Sequence, residues 1–398
     1  FFLACYHPVV LTTQTIAIYP NRRQESALEH YFFVGRIAFN RALEARRYWY
    51  EKSGKSLSYY DQTTDLTELR AVDPFWFDVP MMMVRDSLRR VDLAFRAFFR
   101  RIKNGTKTTG YPRFKGRNRW NSFSFTEPGT VVRNGRIRVS GIERPIRCRN
   151  LRPIEGIIKV QRIIRKAGKW FCQLVIDDDN DAPALQPIKS AVGIDVGLTT
   201  FATLSNGETI ENPRFGRAMA TKLRHAHRSV SRKVKGSNRR RKAVRRLQRV
   251  YRRIEDLRSN FVHHESKQIV SVHQLIAVED LKIGNMVKNR RLAKSILDAA
   301  WSKFIWCLAY KAENAGCRVV KVNPAGTSQD CSKCGEKVQK DLKVRVHRCP
   351  KCGLTLCRDL NAARNVLSRA IQMSAPPQGI GGVKSVEGCK ARLAGQSC

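Results

Sequence analysis

Three acids and four cysteines carry the chemistry open to this sequence. Asp195 lies in GIDVGL, Glu279 in VEDL and Asp359 in RDLNAARN. Asp195 follows Val192, Gly193 and Ile194, and Glu279 follows Ile276, Ala277 and Val278, so both close short apolar runs that read as buried strands. Asp359 opens a run with helical spacing. Taken singly, Asp195 reads as a turn or capping residue and Asp359 as an acid facing a helix dipole. Taken together, three carboxylates at the edges of strands and a helix, in a chain poor in acids, form a hard oxygen site suited to two Mg2+ ions, with Mn2+ as a substitute.

The cysteines are spaced for a different metal. Cys331-x2-Cys334 is followed after fourteen residues by Cys349-x2-Cys352, and two such knuckles supply four thiolates to one tetrahedral Zn2+ with no open position. That makes the zinc structural, contributing on the order of 10 kcal/mol to a small segment. Two redox pairs are the competing reading, but each pair sits in a CxxCG turn among Lys and Arg, without a thioredoxin-like context. His347 and Cys357 stand nearby as spare ligands.

The rest of the chain must position these groups and meet their substrate. Its 398 residues allow roughly two to three domains, each with a core of its own. With 75 Lys and Arg against 33 Asp and Glu, the formal charge is +42 and the pI near 10.5. Such a field attracts polyanions, and a nucleic acid with one phosphate per about 1.7 Å of duplex is the expected partner. No apolar run reaches the roughly 18 residues of a spanning helix, so neither a membrane nor a small-molecule substrate is expected. Of the 12 cysteines, four form the tight pairs and Cys5, Cys148, Cys172, Cys307 and Cys317 are scattered. That pattern predicts a reducing compartment, the cytoplasm and nucleoid of a prokaryotic host.

TIAIYP reads as a strand ending at Pro20, with Asn21 capping a helix that carries Leu28, Phe32 and Phe39. A second helix, Met83 to Ile102, aligns Leu88, Val91, Phe95, Phe98 and Ile102, leaving a cationic front. The stretch NGTKTTGYPRFKGRNRW then interleaves Tyr111, Phe114 and Trp120 with Gly, Lys and Arg. From Phe123 to Ile176, alternation and the Asn134-Gly135 and Ala167-Gly168 turns predict an all-β barrel that TIAIYP joins, making the helices an insertion. An acidic, proline-bearing linker, 177–187, leads into an α/β domain. There AVGIDVGLTTFATLSNG predicts two strands, and Gly236 to Asn238 splits two basic helices, the second with Leu247, Tyr251, Ile254 and Phe261 on one face. QLIAVED and RVVKVNP predict strands around a helix at 299–315, and the helix after Asp359 turns Leu360, Ala363, Leu367 and Ile371 inward. FFLACYHPVVL reads as a poorly anchored leader and the residues past Ser374 as a disordered tail.

GIDVGL, VEDL, NPAGTSQDCSKCG, the second CPKCG and RDLNAARN together resemble the TnpB family, transposon-encoded RNA-guided nucleases related to miniature type V CRISPR effectors. IYPNRRQ, AFNRAL and GYPRFKG extend the resemblance from about Thr15 to Ile371. It implies a multidomain α/β plus all-β chain in which an RNase H-like RuvC domain carries the catalytic acids Asp195, Glu279 and Asp359. The implied order is a leader and first wedge strand (1–20), a helical recognition unit (21–122), the wedge barrel (123–186), a first RuvC segment (187–326), a zinc-bearing target-nucleic-acid-binding insertion (327–355), a second RuvC segment (356–373) and the tail (374–398). Cys357 departs from the family, whose members more often carry an acid there.

The resemblance further implies a structured guide RNA, a double-stranded DNA target read through a short flanking motif, and two-metal phosphodiester hydrolysis with Asp195 bridging both ions. Arg113, Lys115, Arg239, Arg240, Arg241, Lys242, Arg245 and Arg246 are candidate nucleic-acid contacts, a solvated charged face being the plainer reading of any one of them. Three other readings compete: a guided DNA-binding repressor, which would be marked by loss of an acid, an unguided nuclease or transposase of the same fold, and a basic RNA-packaging scaffold.

Overall fold

The computed structural model describes residues 11–106, 109–126, 132–149, 151–178, 183–341 and 344–374. The expected leader before residue 11 and tail after residue 374 lie outside them. In chain order the first elements are β1 (Leu11–Tyr19), α1 (Arg22–Ser53), α2 (Tyr59–Val72), α3 (Met81–Lys103), β2 (Ser122–Thr126), β3 (Val132–Arg133), β4 (Arg136–Ile137), β5 (Ile146–Arg149), β6 (Ile157–Lys166) and β7 (Lys169–Asp177). There follow β8 (Ala191–Val196), β9 (Thr200–Leu204), β10 (Thr209–Glu211), α4 (Phe215–Ala218), α5 (Ala220–Ser231), α6 (Asn238–Val272), β11 (Leu275–Glu279), α7 (Ile283–Met286), α8 (Ala293–Ala299), α9 (Trp301–Asn314), β12 (Arg318–Val322), β13 (Val346–Arg348), β14 (Thr355–Cys357) and α10 (Arg358–Ser374).

The chain divides into two units, one of residues up to Pro183 with Met219–Asp256, the other of Ala184–Ala218 with the residues from Leu257 onward. In the first, Asn21 caps α1 as the sequence predicts: its side chain accepts the Gln24 N–H while Gln24 accepts the Asn21 N–H. Gly54, at φ 67, ends the helix in the left-handed region. The strands pair in the order β2-β6-β7-β1-β5-β4-β3. Among the described residues β2 and β3 are not bonded to each other, so the hydrogen bonding is that of an open sheet, whereas the sequence predicts a closed barrel. Helices complete the enclosure: Leu28, Phe39, Val84 and Val91 share one core with Phe123, Ile163, Cys172 and Leu174. The sequence assigns 219–256 to the nuclease domain, but these residues belong to the first unit. Two contacts explain it: Arg252 of α6 lies over the Phe171 ring at 4.4 Å, and Lys166 pairs with Glu255 at 2.6 Å.

The second unit is built on a sheet ordered β10-β9-β8-β11-β12. β9 runs antiparallel to both β10 and β8, while β8, β11 and β12 are parallel to one another. Val192, Ile194, Ile276 and Val278 point from the central strands into a core with Phe201, Trp301, Phe304 and Leu308. The opposite face belongs to α10, and here the sequence misleads. Its buried apolar residues are Ala362, Ala363, Val366 and Ala370, so Ala363 is inward as expected, while Leu360 and Leu367 are half-buried and Ile371 is exposed. A Cβ at Gly193 would lie 2.1 Å from the Ala363 carbonyl and 2.7 Å from the Leu367 nitrogen, so helix backbone rests directly on strand backbone. At that approach only small side chains fit between, and the larger ones turn to the flanks.

Candidate active site

Strand register brings the first two acids together. Ile194 pairs with Val278 in the parallel β8–β11 ladder, so Asp195 and Glu279 sit side by side one residue on, at the carboxyl ends of both strands. Because side chains alternate, Asp195 shares a face with Gly193 and Glu279 with Ala277. That is the α10 face: Ala277 packs with Val366 and Ala370. Asp359, in the first turn of α10, is thereby carried over the same strand ends.

The electrostatics record the convergence. Burial pushes the Asp195 carboxyl well above the usual range, and the charges of Glu279 and Asp359 push it further, against Arg358 and Arg345. Burial also raises Glu279, opposed by a hydrogen bond from Thr327 and by the Arg369 charge. The Thr327 hydroxyl, itself buried, donates to Glu279 Oε1 at 2.6 Å. Arg345 Nη1 lies 3.7 Å from Asp359 Oδ1. Three hard oxygen donors that repel one another are suited to divalent cations, whose charge reverses the cost of ionising them. Among the described residues the cysteines alone form a group of three or more potential ligands whose donor atoms all lie within 4.8 Å of one another.

The four cysteines meet as the spacing predicts. Sγ of Cys331 is 3.6 Å from that of Cys352, and Sγ of Cys334 is 3.5 Å from that of Cys349. A disulfide would be near 2 Å, whereas thiolates about 2.3 Å from one tetrahedral ion stand about 3.8 Å apart, so the set fits Zn2+. Each knuckle turns on a left-handed glycine, Gly335 at φ 77 and Gly353 at φ 70. The backbone N–H of Cys352 leads in lowering the Cys349 thiol to about 7. His347 and Cys357 stay outside this group. His347 is fully buried in β13 opposite Leu356, and Cys357 is exposed at the end of β14.

Sequence reasoning misses the residues that join knuckle to acids. Asn361 of α10 donates to the Asp330 carbonyl at 2.7 Å and accepts from the Ser332 N–H at 2.9 Å. Asn365, one turn on, donates to the carbonyls of Thr327 and Asp330 at 2.8 and 2.7 Å. Arg369, a further turn on, donates to the Asn323 and Ala325 carbonyls and pairs with Asp330 at 2.8 Å. A signal for them exists: two asparagines four apart on a helix face are poor helix formers with side chains that demand partners.

The candidate nucleic-acid residues lie in the first unit, on or beside its helices. Arg113 is exposed and Lys115 is half-buried, with its ammonium 5.3 Å from the Phe39 ring centroid. Arg239, Arg241, Lys242, Arg245 and Arg246 are exposed on α6 and Arg240 is half-buried there. Tyr251, expected on an inward face, is exposed and bonds His227 through its hydroxyl at 2.8 Å.

A mixed five-stranded sheet with acids at its strand ends, an adjoining four-cysteine knuckle and a second unit built on a helix-covered sheet define a multidomain α/β chain. The chain matches the solved Cas12f1–sgRNA–target DNA complex with a TM-score of 0.55 at 14% identity, over 87% of this chain and 83% of that one, which is a likeness of fold. Three family descriptions match in sequence: a helix-turn-helix domain of OrfB_IS605 at residues 10–55, the OrfB_IS605 probable transposase at 172–290 and a Cas12f1-like TNB domain at 301–366. A Streptomyces pristinaespiralis protein whose name describes an RNA-guided DNA endonuclease is 37% identical over 374 residues, 91% of this chain and 90% of its own length. Escherichia coli InsQ, named in the same way, is 31% identical over 88% of this chain and 90% of its own. The chain belongs to the TnpB family.

Proposed function

We propose that this chain is an RNA-guided DNA endonuclease that cuts by two-metal phosphodiester hydrolysis at Asp195, Glu279 and Asp359. The observation that carries the reading is the convergence of the three acids at the carboxyl ends of β8 and β11, under a helix that also anchors the zinc knuckle. The 3-2-1-4-5 order of β10, β9, β8, β11 and β12 supports an RNase H-like, RuvC-type domain. The cations, when bound, supply Lewis acidity for the hydrolysis. Asp195, which feels both other acids, would hold the cations together with Glu279 and Asp359; Thr327 fixes one oxygen of Glu279; Arg345, beside Asp359, can meet a phosphate of the entering strand. Names of the relatives support a guide RNA and a DNA target as partners, and the charge of +42 suits both. Base pairing would then read sequence, while the protein reads a short flanking motif and the heteroduplex shape.

The test starts from the chain expressed with its native flanking DNA and purified in high salt, and sequences the RNA that stays bound. One discrete RNA, with a structured constant region and an end reading into neighbouring DNA, is expected to direct Mg2+-dependent cutting of matching DNA. Asp195→Ala is expected to abolish cutting and leave RNA and target binding intact. Heterogeneous RNA, or cutting by Asp195→Ala at the wild-type rate, would overturn the reading.

A further inference from the structure

Glu279 sits on β11 and Asp359 on α10, so the gap between these two carboxylates is set by tertiary contact and by neither element alone. The Thr327 hydroxyl that Glu279 accepts from is shut away from water with it, Thr327 being 3% exposed and Glu279 9%. That hydroxyl also lies 3.0 Å from the Pro324 carbonyl, and with one proton for two acceptors the shorter contact, 2.6 Å, is the one to Glu279. Thr327 belongs to the turn that leaves β12 at Val322, the register partner of Glu279, and enters the knuckle at Cys331. No strand ladder or helix holds it there. Its own N–H makes only a 3.4 Å contact, to the Pro324 carbonyl. The firmer hold comes from α10, whose Asn365 nitrogen stands 2.8 Å from the Thr327 carbonyl and 2.7 Å from that of Asp330. Both protons of that nitrogen are used, one per carbonyl, and a carboxamide is the neutral side chain that offers two donors from one atom. Asn365 lies six residues after Asp359, less than two turns along the same helix.

We propose that Asn365 is a positioning residue of the acid site: by holding the Thr327 main chain it aims the Thr327 hydroxyl at Glu279, and so ties Glu279 to the helix that carries Asp359. The inference rests on the two-metal endonuclease reading and adds what sets the spacing of its ligands. Asn365 meets neither cation nor strand itself. Outer partners of this kind orient ligating carboxylates, and their loss weakens metal binding about 10–100-fold. Because Asn365 acts through Thr327, removing both costs no more than removing one, which is the signature of a coupled pair.

The experiment follows Mn2+ binding to RNA-free, full-length protein by electron paramagnetic resonance, with Asp195→Ala as the background, and the Mg2+ dependence of single-turnover cutting by the guided complex. Asn365→Ala, Thr327→Val, the double variant and Thr327→Ser are compared with wild type, each beside a thermal melt. Asn365→Leu, which keeps the branched shape, replaces Asn365→Ala if that protein melts below the assay temperature. The expected result is Mn2+ affinity about tenfold weaker in Asn365→Ala, in Thr327→Val and in the double variant alike, and within about threefold of wild type in Thr327→Ser, which keeps the hydroxyl. The Mg2+ concentration for half-maximal cutting should rise in step, while the rate at saturating Mg2+ changes by less. Wild-type affinity in the Asn365 variant, or losses that multiply to about a hundredfold in the double variant, would overturn the proposal. Mn2+ binding by wild type no tighter than by Asp195→Ala would overturn the reading of the acids on which it rests, and is seen before any other variant is compared.

Discussion

Gly193→Ala is the most direct perturbation of the site's geometry, because it adds one methyl group against the helix that carries Asp359 and alters no carboxylate. The new Cβ would stand 2.1 Å from the Ala363 carbonyl, 2.7 Å from the Leu367 nitrogen and 2.8 Å from the Leu367 Cβ. The first two neighbours are helix backbone and cannot rotate away. Ordinary van der Waals contact starts near 3.4 Å, so α10 has to move by about 1.3 Å at that point. Asp359 lies one turn earlier on the same helix and travels with it. Overpacking of this kind costs about 1–3 kcal/mol, and a misplacement of about 1 Å at a reacting centre costs on the order of a hundredfold in rate. The assay is single-turnover cleavage by the guided complex, beside a thermal melt and a target-binding measurement. We expect a rate down by about two orders of magnitude, a lower melting temperature and unchanged RNA binding. Gly284→Ala, whose Cβ would meet nothing within 4 Å, is the control and should behave as wild type. A Gly193→Ala protein that melts and cuts as wild type does would refute the close packing of α10 on β8.

Asp195→Asn should stabilise the metal-free protein at neutral pH. A carboxyl raised on folding makes the folded state bind the extra proton, so wild-type stability falls as pH climbs from the unfolded value through the folded one. The melting-temperature gain should therefore be present at pH 7 to 8 and vanish below about pH 4; a gain independent of pH would show that ionisation of the buried, acid-flanked carboxyl is not its cause. Thr327→Val removes the donor that lowers Glu279, so the acid limb of the cleavage–pH profile should move to higher pH, and an unmoved limb would count against the hydrogen bond. Chelating zinc should expose the segment between Cys331 and Cys352 to protease while leaving the first unit resistant, and unchanged digestion would remove the zinc assignment. Replacing Arg245 and Arg246 with Ala should lower the salt dependence of RNA or DNA binding by about one unit of slope each, with the affinity loss uniform across sequences.

What the sequence makes legible is whatever depends on neighbours along the chain. Asn21 and Gln24 form a capping box by themselves, Asn134-Gly135 makes its turn between β3 and β4, and two CxxCG knuckles announce a metal site, though His347 and Cys357 stay open as ligands until the fold sets them aside. Asp195 and Glu279 are legible as donors because apolar runs end at them and Asp359 because it opens a helix, but the meeting of the first two depends on the β8–β11 register, a contact across more than eighty residues of sequence. The inward face of α10 is misread for a related reason. Periodicity picks out Ala363 correctly but sets it among the larger Leu360, Leu367 and Ile371, whereas the apolar face is set by a glycine on another strand that favours alanines and a valine. α2 escapes a sequence reading because it buries only Gln62 and Leu66 and has almost no apolar stripe to read. Residues 219–256 look like nuclease domain in sequence because basic composition says nothing about which core a helix leans on.

The stripe of Asn361, Asn365 and Arg369 decides where this molecule can be cut and rejoined. The three side chains read out main-chain carbonyls from Asn323 to Asp330, and those carbonyls exist in the right places only while the loop keeps its path. A knuckle transplanted from a relative at boundaries drawn on the cysteines would bring its metal and leave behind the partners that seat it. The exchangeable cassette instead runs from Asn323 through Arg369, loop, knuckle and helix together. An engineer who respects those ends moves the knuckle together with its seat; one who does not shifts the helix that carries Asp359.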